Sequence, residues 1–440
     1  MGGQTENPLD PSVMNETLHK NFLLLPFGSA GDVHPFVGLG LALQNRGHDV
    51  EIATNGYFES LIRRCGLPFT ELGTADEFLE VSQQPGLWSP LHGFATLFRF
   101  GIQRVMKRQM ELVLDRCRSR PTVVIANGLG FGARIATEKI ASQRLETDHR
   151  APMVTIHLQP AFIFSDIRPP VLPGISSSRW QPTWLRRFQV RLGEKLLVDR
   201  VAGPATNVLR REVGLPPVRR LSLWWNSPDS MLGLFPNWFA PPAADWPSQL
   251  TLSEFPLWDE SAVSGIEPEL NRFLEDGAPP VVITPGTGNR HAKHFFTESV
   301  NACLQLQRRA ILLTRFPEQL PDNLPPSARH FDYAPFGLIL PRCAAAIHHG
   351  GVGTVSQCLR AGIPQIIMPL SYDQPDNMNR VEQLGVGSGM NPSRFVASSV
   401  ARLLNELLES EPVRDHCRAT AARFVGIAPF ETATRHLESL

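Results

Sequence analysis

Two long stretches of the chain repeat one rhythm of apolar runs and periodic segments. Near the start, "NFLLLPFG" is an apolar run of buried-strand length, and "SAGDVHP" after it reads as a loop. "PFVGLGLALQNRG" then has helical spacing, with Pro35 in its first turn and Gly47 just past its end, and "HDVEIAT" returns to a strand. "TVVIANG", "FGARIATEKIA" and "MVTIHLQ" carry the rhythm on, and "PPVVITPGTG" (279–288) restarts it. From there "AILLTRF", "HFDYAPF", "AAAIHHGG", a helix ending at Arg360–Ala361–Gly362, and "PQIIMPL" follow in order. Continuous apolar strands alternating with helices imply parallel sheets covered on both faces. The predicted fold class is α/β, with two Rossmann-like, doubly wound parallel-sheet domains facing a central cleft.

Between the blocks, residues 240–265 are rich in Pro, Ser and Trp. The expected division is a flexible tail over 1–20, a first domain over 21–245, a linker over 246–265 and a second domain over 266–440. The amphipathic C-terminal stretch is a candidate for returning to the first domain. Open parallel sheets bind ligands at the carboxyl ends of their strands, so loops 28–34, 284–290, 333–336, 349–354 and 371–377 should converge on the cleft.

At 440 residues the chain is long enough for two cores. Its 42 basic and 42 acidic side chains balance, which removes the overall positive field of a nucleic-acid binder. The six cysteines form no C-x-x-C pair, so neither a disulfide framework nor a zinc site is expected. The first twenty residues lack the apolar core of a signal peptide, and no apolar run reaches membrane-spanning length. A cytoplasmic protein is expected.

The chemistry concentrates in "IHHGGVGT" (347–354), where a strand turns into a helix. Gly350, Gly351 and Gly353 let backbone N–H groups approach an oxyanion, and the helix N-terminus adds partial positive charge. Thr354 offers a hydroxyl and His349 a ring N–H, which together describe a diphosphate cradle. Adjacent histidines on a strand point to opposite faces and no third ligand stands nearby, so no metal is expected. His348 should pack inside its own domain. On the next loop Asp373, Gln374 and Asn377 supply the mixed acceptors and donors that sugar hydroxyls need, unless the acids only cap a helix.

The run from "FDYAPFGLILPRCA" through "SYDQPDNMNRVEQLG" resembles the donor-binding signature of family 1 nucleotide-sugar-dependent glycosyltransferases of the GT-B fold. "PFGSAGDVHPFVGLGLAL" resembles the opening of the same superfamily, especially the rhamnosyltransferase, sterol glucosyltransferase and glycopeptide-antibiotic glycosyltransferase groups. The resemblance implies a UDP- or dTDP-sugar donor, used as substrate, and no metal cofactor. It sets Tyr333 to stack on the base, Phe336 to read it through the backbone, and His349, Gly351, Gly353 and Thr354 to hold the diphosphate. Gln357 stands where many relatives carry a ribose-binding Glu. Asp373 and Gln374 match the sugar-reading pair, and Gly286 and Thr287 match the loop closing over the donor.

Asp32 matches the family's general base, with His34 as the alternative base or as a helix N-cap before Pro35. The bland reading of Asp32 is a carboxylate stabilised by the following helix, whose dipole would weaken it as a base. The family's mechanism implies one inverting displacement at the anomeric carbon. On the acceptor side, Phe162, Phe164, Trp224 and Trp225, with Trp180 and Trp184, offer apolar surface for a lipid-, sterol- or polyketide-like acceptor. Residues 179–220 hold ten Arg or Lys against three acids. They read first as a solvated face over ordinary core aromatics, and second as a surface for anionic lipid heads at the inner membrane face. The sequence leaves oligomeric state open. Rival readings are a sugar-nucleotide epimerase on the same fold and a non-catalytic sugar-nucleotide-binding protein. "NGLGFGA" lacks the G-x-G-x-x-G spacing of a dinucleotide oxidoreductase.

Overall fold

The computed structural model describes residues 19–143, 151–172, 182–261 and 263–440. The tail expected over 1–20 lies almost wholly outside them, as does Trp180. The first sheet comprises β1 (Asn21–Leu25), β2 (Asp49–Asn55), β3 (Phe69–Gly73), β4 (Val123–Asn127), β5 (Met153–His157), β6 (Ser230–Gly233) and β7 (Leu250–Leu252). All seven strands are parallel, in the order β3-β2-β1-β4-β5-β6-β7. The second sheet comprises β8 (Val281–Thr284), β9 (Ala310–Leu313), β10 (Ala328–Phe331), β11 (Ala345–His348), β12 (Gln365–Ile367) and β13 (Gly387–Gly389). Its six parallel strands run β10-β9-β8-β11-β12-β13.

The stretch read as linker therefore needs correction. Residues 246–265 contain β7, which pairs with β6 and closes the edge of the first sheet. Three residues of strand among prolines give too short a signal to separate from a loop.

Each strand order reverses once, between β1 and β4 and between β8 and β11. The loops leaving those strands splay apart there and open a crevice at each sheet's carboxyl edge. The two crevices face one another. A buried apolar cluster joins the lobes, with Phe235, Phe239 and Phe255 packed among Val355, Leu359, Ile367 and Val381. The C-terminal helix Glu431–Glu438 crosses back to the first lobe, burying Ala433 and Leu437 with Val33, Phe36 and Val37. Glu438 fixes its end, accepting from Arg46 Nε at 2.6 Å and Nη2 at 2.8 Å. Gly38 makes room for this crossing, since a Cβ there would lie 2.6 Å from the Phe430 ring.

Candidate active site

The helix after β1 starts earlier than its sequence pattern predicted. It runs Ala30–Asn45 with Ser29 as N-cap, so "SAGDVHP" is mostly helix, Pro35 lies inside it, and His34 is not a cap. Ser29 and Asp32 form a reciprocal capping pair, whose local bonds outweigh the proline as the marker of the helix start. Asp32 Oδ2 accepts from the Ser29 N–H at 2.8 Å and from Ser29 Oγ at 3.2 Å. Oδ1 takes no bond from the described residues. Burial pushes the Asp32 carboxyl up to about 6, with the two Ser29 bonds pulling it partly back. Gly28, at φ +138°, is required beside it, because a Cβ there would overlap Asp32 Oδ2.

His34 lines the same cleft, edge-on to Trp258 at 5.2 Å and 3.5 Å from Glu260 Oε1. Burial raises the Glu260 carboxyl, but its bond to His34 and the charges of His34, Arg315 and Arg64 prevail and hold it below the usual range.

From the second lobe, β11 ends on His348 and His349 follows it, their ring centroids 6.4 Å apart. His348 is buried and pairs with Gln365 Oε1 at 3.0 Å, while its Nδ1 accepts the Gly350 N–H at 3.1 Å. The His349 ring lies in a slot between two glycines. A Cβ on Gly286 would sit 2.5 Å from Cε1, and one on Gly351 would sit 2.6 Å from Nε2. Burial drives the imidazole down to about 3, so the ring is neutral, and its Nδ1 is buried without a partner among the described residues. Gly351 caps the helix Val352–Ala361, whose first turn brings Gly353 and Thr354 to the cleft wall. Gln357 joins them with its Oε1 buried and unpartnered among the described residues.

Asp373 caps the helix Gln374–Gln383 and accepts from Asn377 Nδ2 at 2.6 Å. Burial, joined by the negative charges of Asp32 and Asp376, raises its carboxyl to about 7. Gln374 Oε1 accepts the Leu370 and Ser371 N–H groups at 2.7 and 3.1 Å, which orients its amide. Thr287, Tyr333 and Phe336 also line the cleft, with the Arg315 guanidinium 5.5 Å over the Tyr333 ring.

Four expected site residues do not face the cleft. Gly350 spends its N–H on His348 and its carbonyl on Asn377, leaving nothing for a ligand. Asn377 is fully buried, tying Gly350 to Asp373. Trp224 packs between Arg134 and Arg210 and donates its indole N–H to Glu138 at 2.7 Å. Its neighbour Trp225 does line the cleft, stacked on Phe164 at 6.0 Å and edge-on to Phe162 at 6.5 Å. Trp184 points outward to solvent.

Two contributors were not foreseen. Trp88, from the first lobe, donates its indole N–H to the Gly288 carbonyl at 3.2 Å and sits edge-on to His349 and Tyr372. Tyr372 returns the contact, its hydroxyl donating to the Leu87 carbonyl at 2.7 Å. "QQPGLWSP" has no periodicity, and its only signal is a tryptophan between two prolines.

The groups that face the cleft surround one cavity of about 710 Å³. Asp32 and His34 stand on one side, the His349 turn and Asp373 on the other, and an apolar chamber lined by Phe94, Leu97, Phe162, Phe164 and Val190 extends into the first lobe. Among the described residues no group of three or more His, Cys, Asp or Glu could hold a metal ion, and no helix is long and apolar enough to cross a membrane.

Two doubly wound lobes across one cleft, with an apolar chamber on one side and a glycine-lined helix start on the other, have the GT-B architecture. Residues 22–155 match the family model described as glycosyltransferase family 28 N-terminal domain. Residues 310–435 match the erythromycin biosynthesis protein CIII-like C-terminal domain. The two matches give the chain glycosyltransferase domains at both ends, and it is a hexosyltransferase-type enzyme. It is 29% identical to O-mycaminosyltylonolide 6-deoxyallosyltransferase of Streptomyces fradiae, covering 92% of each protein. It is 28% identical to sterol 3-beta-glucosyltransferase of Debaryomyces hansenii over 88% of this chain but only 25% of that much longer protein. The fold matches the glycosyltransferase of kitacinnamycin with a TM-score of 0.71 at 18% identity, covering 96% of this chain and 99% of that one. It matches spinosyn rhamnosyltransferase SpnG with a TM-score of 0.65 at 19% identity, covering 96% and 100%.

Proposed function

We propose that the protein transfers a hexose or deoxyhexose from a UDP- or dTDP-sugar to a hydroxyl of a small apolar acceptor of sterol or polyketide character, with inversion. The observation carrying this reading is that Asp32 and the His349 turn, each at its own sheet's reversal point, face one cavity continuous with an apolar chamber. Relatives named for a macrolide glycosyl transfer and for sterol glucosylation support the acceptor class. A spinosyn rhamnosyltransferase described with thymidine diphosphate, and with spinosyn aglycone, supports the pairing of ligands.

In this scheme the acceptor hydroxyl gives its proton to Asp32 as its oxygen attacks the anomeric carbon. The bond from that carbon to the diphosphate breaks on the opposite face, and its electron pair leaves with the diphosphate. Negative charge grows on the leaving group, where the N–H groups at the start of the 352–361 helix and His349 receive it. Burial holds the His349 imidazole below its usual range, and a ring N–H can donate to the diphosphate. Asp373, poised near neutrality, can donate to or accept from a sugar hydroxyl, beside the Gln374 amide. Thr287, Tyr333, Phe336 and Gln357 complete the donor wall, with Phe162, Phe164 and Trp225 against the acceptor.

A nucleotide-sugar panel read by thermal shift, followed by transfer assays with sterol and macrolide acceptors, tests the proposal. A rise in melting temperature with UDP- or dTDP-sugars, and product of inverted anomeric configuration, is the expected result. Sugar isomerisation without acceptor would make the protein an epimerase, and binding without turnover would make it a non-catalytic binder.

A further inference from the structure

One helix carries two surfaces with different partners. Thr183–Gly193, continued by the π-helical turns Glu194–Asp199, walls the apolar chamber with Val190, Gly193, Leu197 and Val198. Its outer side carries Trp184, Phe188, Leu192 and Leu196, which are 69%, 59%, 42% and 46% exposed. Four large apolar side chains at a strict four-residue spacing form a continuous stripe, unlike the scattered exposed leucines of an ordinary surface. Three residues beyond each of the first three stand Arg187, Arg191 and Lys195, a basic row parallel to the stripe, with exposed Arg200 continuing it.

The acids nearby do not cancel this charge. Asp166 Oδ2 is shared by Arg187 at 2.7 Å and Arg191 at 2.6 Å, so the trio keeps a net positive charge. Glu194 is buried and paired with Arg220 at 3.0 Å. Asp199 accepts the Leu221 N–H. The outward face is thus apolar along one row and cationic along the next, the arrangement that lies flat at a lipid headgroup boundary.

We infer that this face binds an anionic lipid surface, the tryptophan and phenylalanine entering the headgroup–acyl boundary and the basic row meeting lipid phosphates. The surface stands independently of the transfer reading. Joined to that reading, it places the acceptor chamber about one helix diameter, roughly 10 Å, from the bilayer in which an apolar acceptor dissolves.

Sedimentation of the full chain with vesicles tests this, comparing phosphatidylcholine alone with phosphatidylcholine containing about 30% phosphatidylglycerol. Binding is expected only to the anionic vesicles, and should weaken at about 0.5 M salt. The double variant Trp184→Ser/Phe188→Ser should bind about tenfold or more weakly, and Lys195→Glu/Arg200→Glu should lose the anionic preference. Melting temperatures should be unchanged, since these side chains project into solvent. Absence of binding by the unaltered chain, or equal binding by the variants, overturns the inference. So does light scattering that finds the unaltered chain dimeric and the Trp184→Ser/Phe188→Ser variant monomeric, because the stripe would then be covered by a second copy. A failure here leaves the thermal-shift and transfer results untouched.

Discussion

Asp32 and Asp373 are two carboxyls whose surroundings favour the protonated form, and this has opposite consequences for turnover and for stability. In the proposed scheme Asp32 is the base, and a carboxyl serves as a base only when ionised. Activity should therefore rise as pH passes about 6 and level off above, with an apparent value shared by the coupled pair. Asp32→Asn should remove that limb and lower kcat by about 10²–10⁴-fold while nucleotide still raises the melting temperature. For stability, the folded state holds protons that the unfolded chain, at the ordinary 3.8, has already lost. Folding stability should fall as pH climbs from about 4 to about 7. Asp373→Asn relieves that cost, so melting should rise by roughly 1–3 °C at pH 8 and show little change near pH 4. Gly351→Ala has no conformational penalty at φ −61°, yet its methyl would displace the His349 ring. Donor KM should increase about tenfold or more in steady-state kinetics, with the fold intact. Which of the candidate residues line the cleft was largely legible, because the loops after β1, β8, β11 and β12 leave the carboxyl ends of parallel strands. Trp224 was misassigned for a local reason: adjacent residues on one helical turn point about 100° apart, and sequence does not say which one faces in.

Elements show where local signals compete. In the 30–45 helix a capping pair at Ser29 and Asp32 overrode the proline as a start marker. That shift moves Asp32 from a loop onto a rigid first turn, a better mount for a reacting group. Pro35, inside the helix, removes the N–H that would have bonded the Gly31 carbonyl at the cleft wall. The parallel strands were readable because strands buried on both faces are continuously apolar, whereas β7, three half-buried residues, was not. Gly38 is the element-level constraint on the returning C-terminal helix. Gly38→Ala should cost about 1–3 kcal/mol, read as a lower melting temperature by calorimetry, through overpacking against Phe430 and Trp258.

At the scale of the molecule, the cleft is held together by contacts between lobes that no single segment announces. Trp88 reaches Gly288 and Tyr372 reaches Leu87, so each lobe grasps a backbone carbonyl of the other beside His349. Their meeting depends on how the lobes dock, which lies beyond any local window of residues. Trp88→Ala should raise donor KM several-fold, about 3–10, with a smaller effect on melting, as measured by kinetics and thermal shift side by side.

The crossing of the final helix has a practical consequence for anyone building hybrids of such enzymes. Because the polypeptide passes between lobes twice, a swap of donor specificity made with a single cut near residue 265 would import a foreign tail. That tail must seat on Val33, Phe36, Val37 and the notch at Gly38, and a mismatch there would strip cover from the very helix that presents Asp32. A second junction just ahead of Phe430, keeping the native terminus with its own first lobe, is the design the architecture recommends.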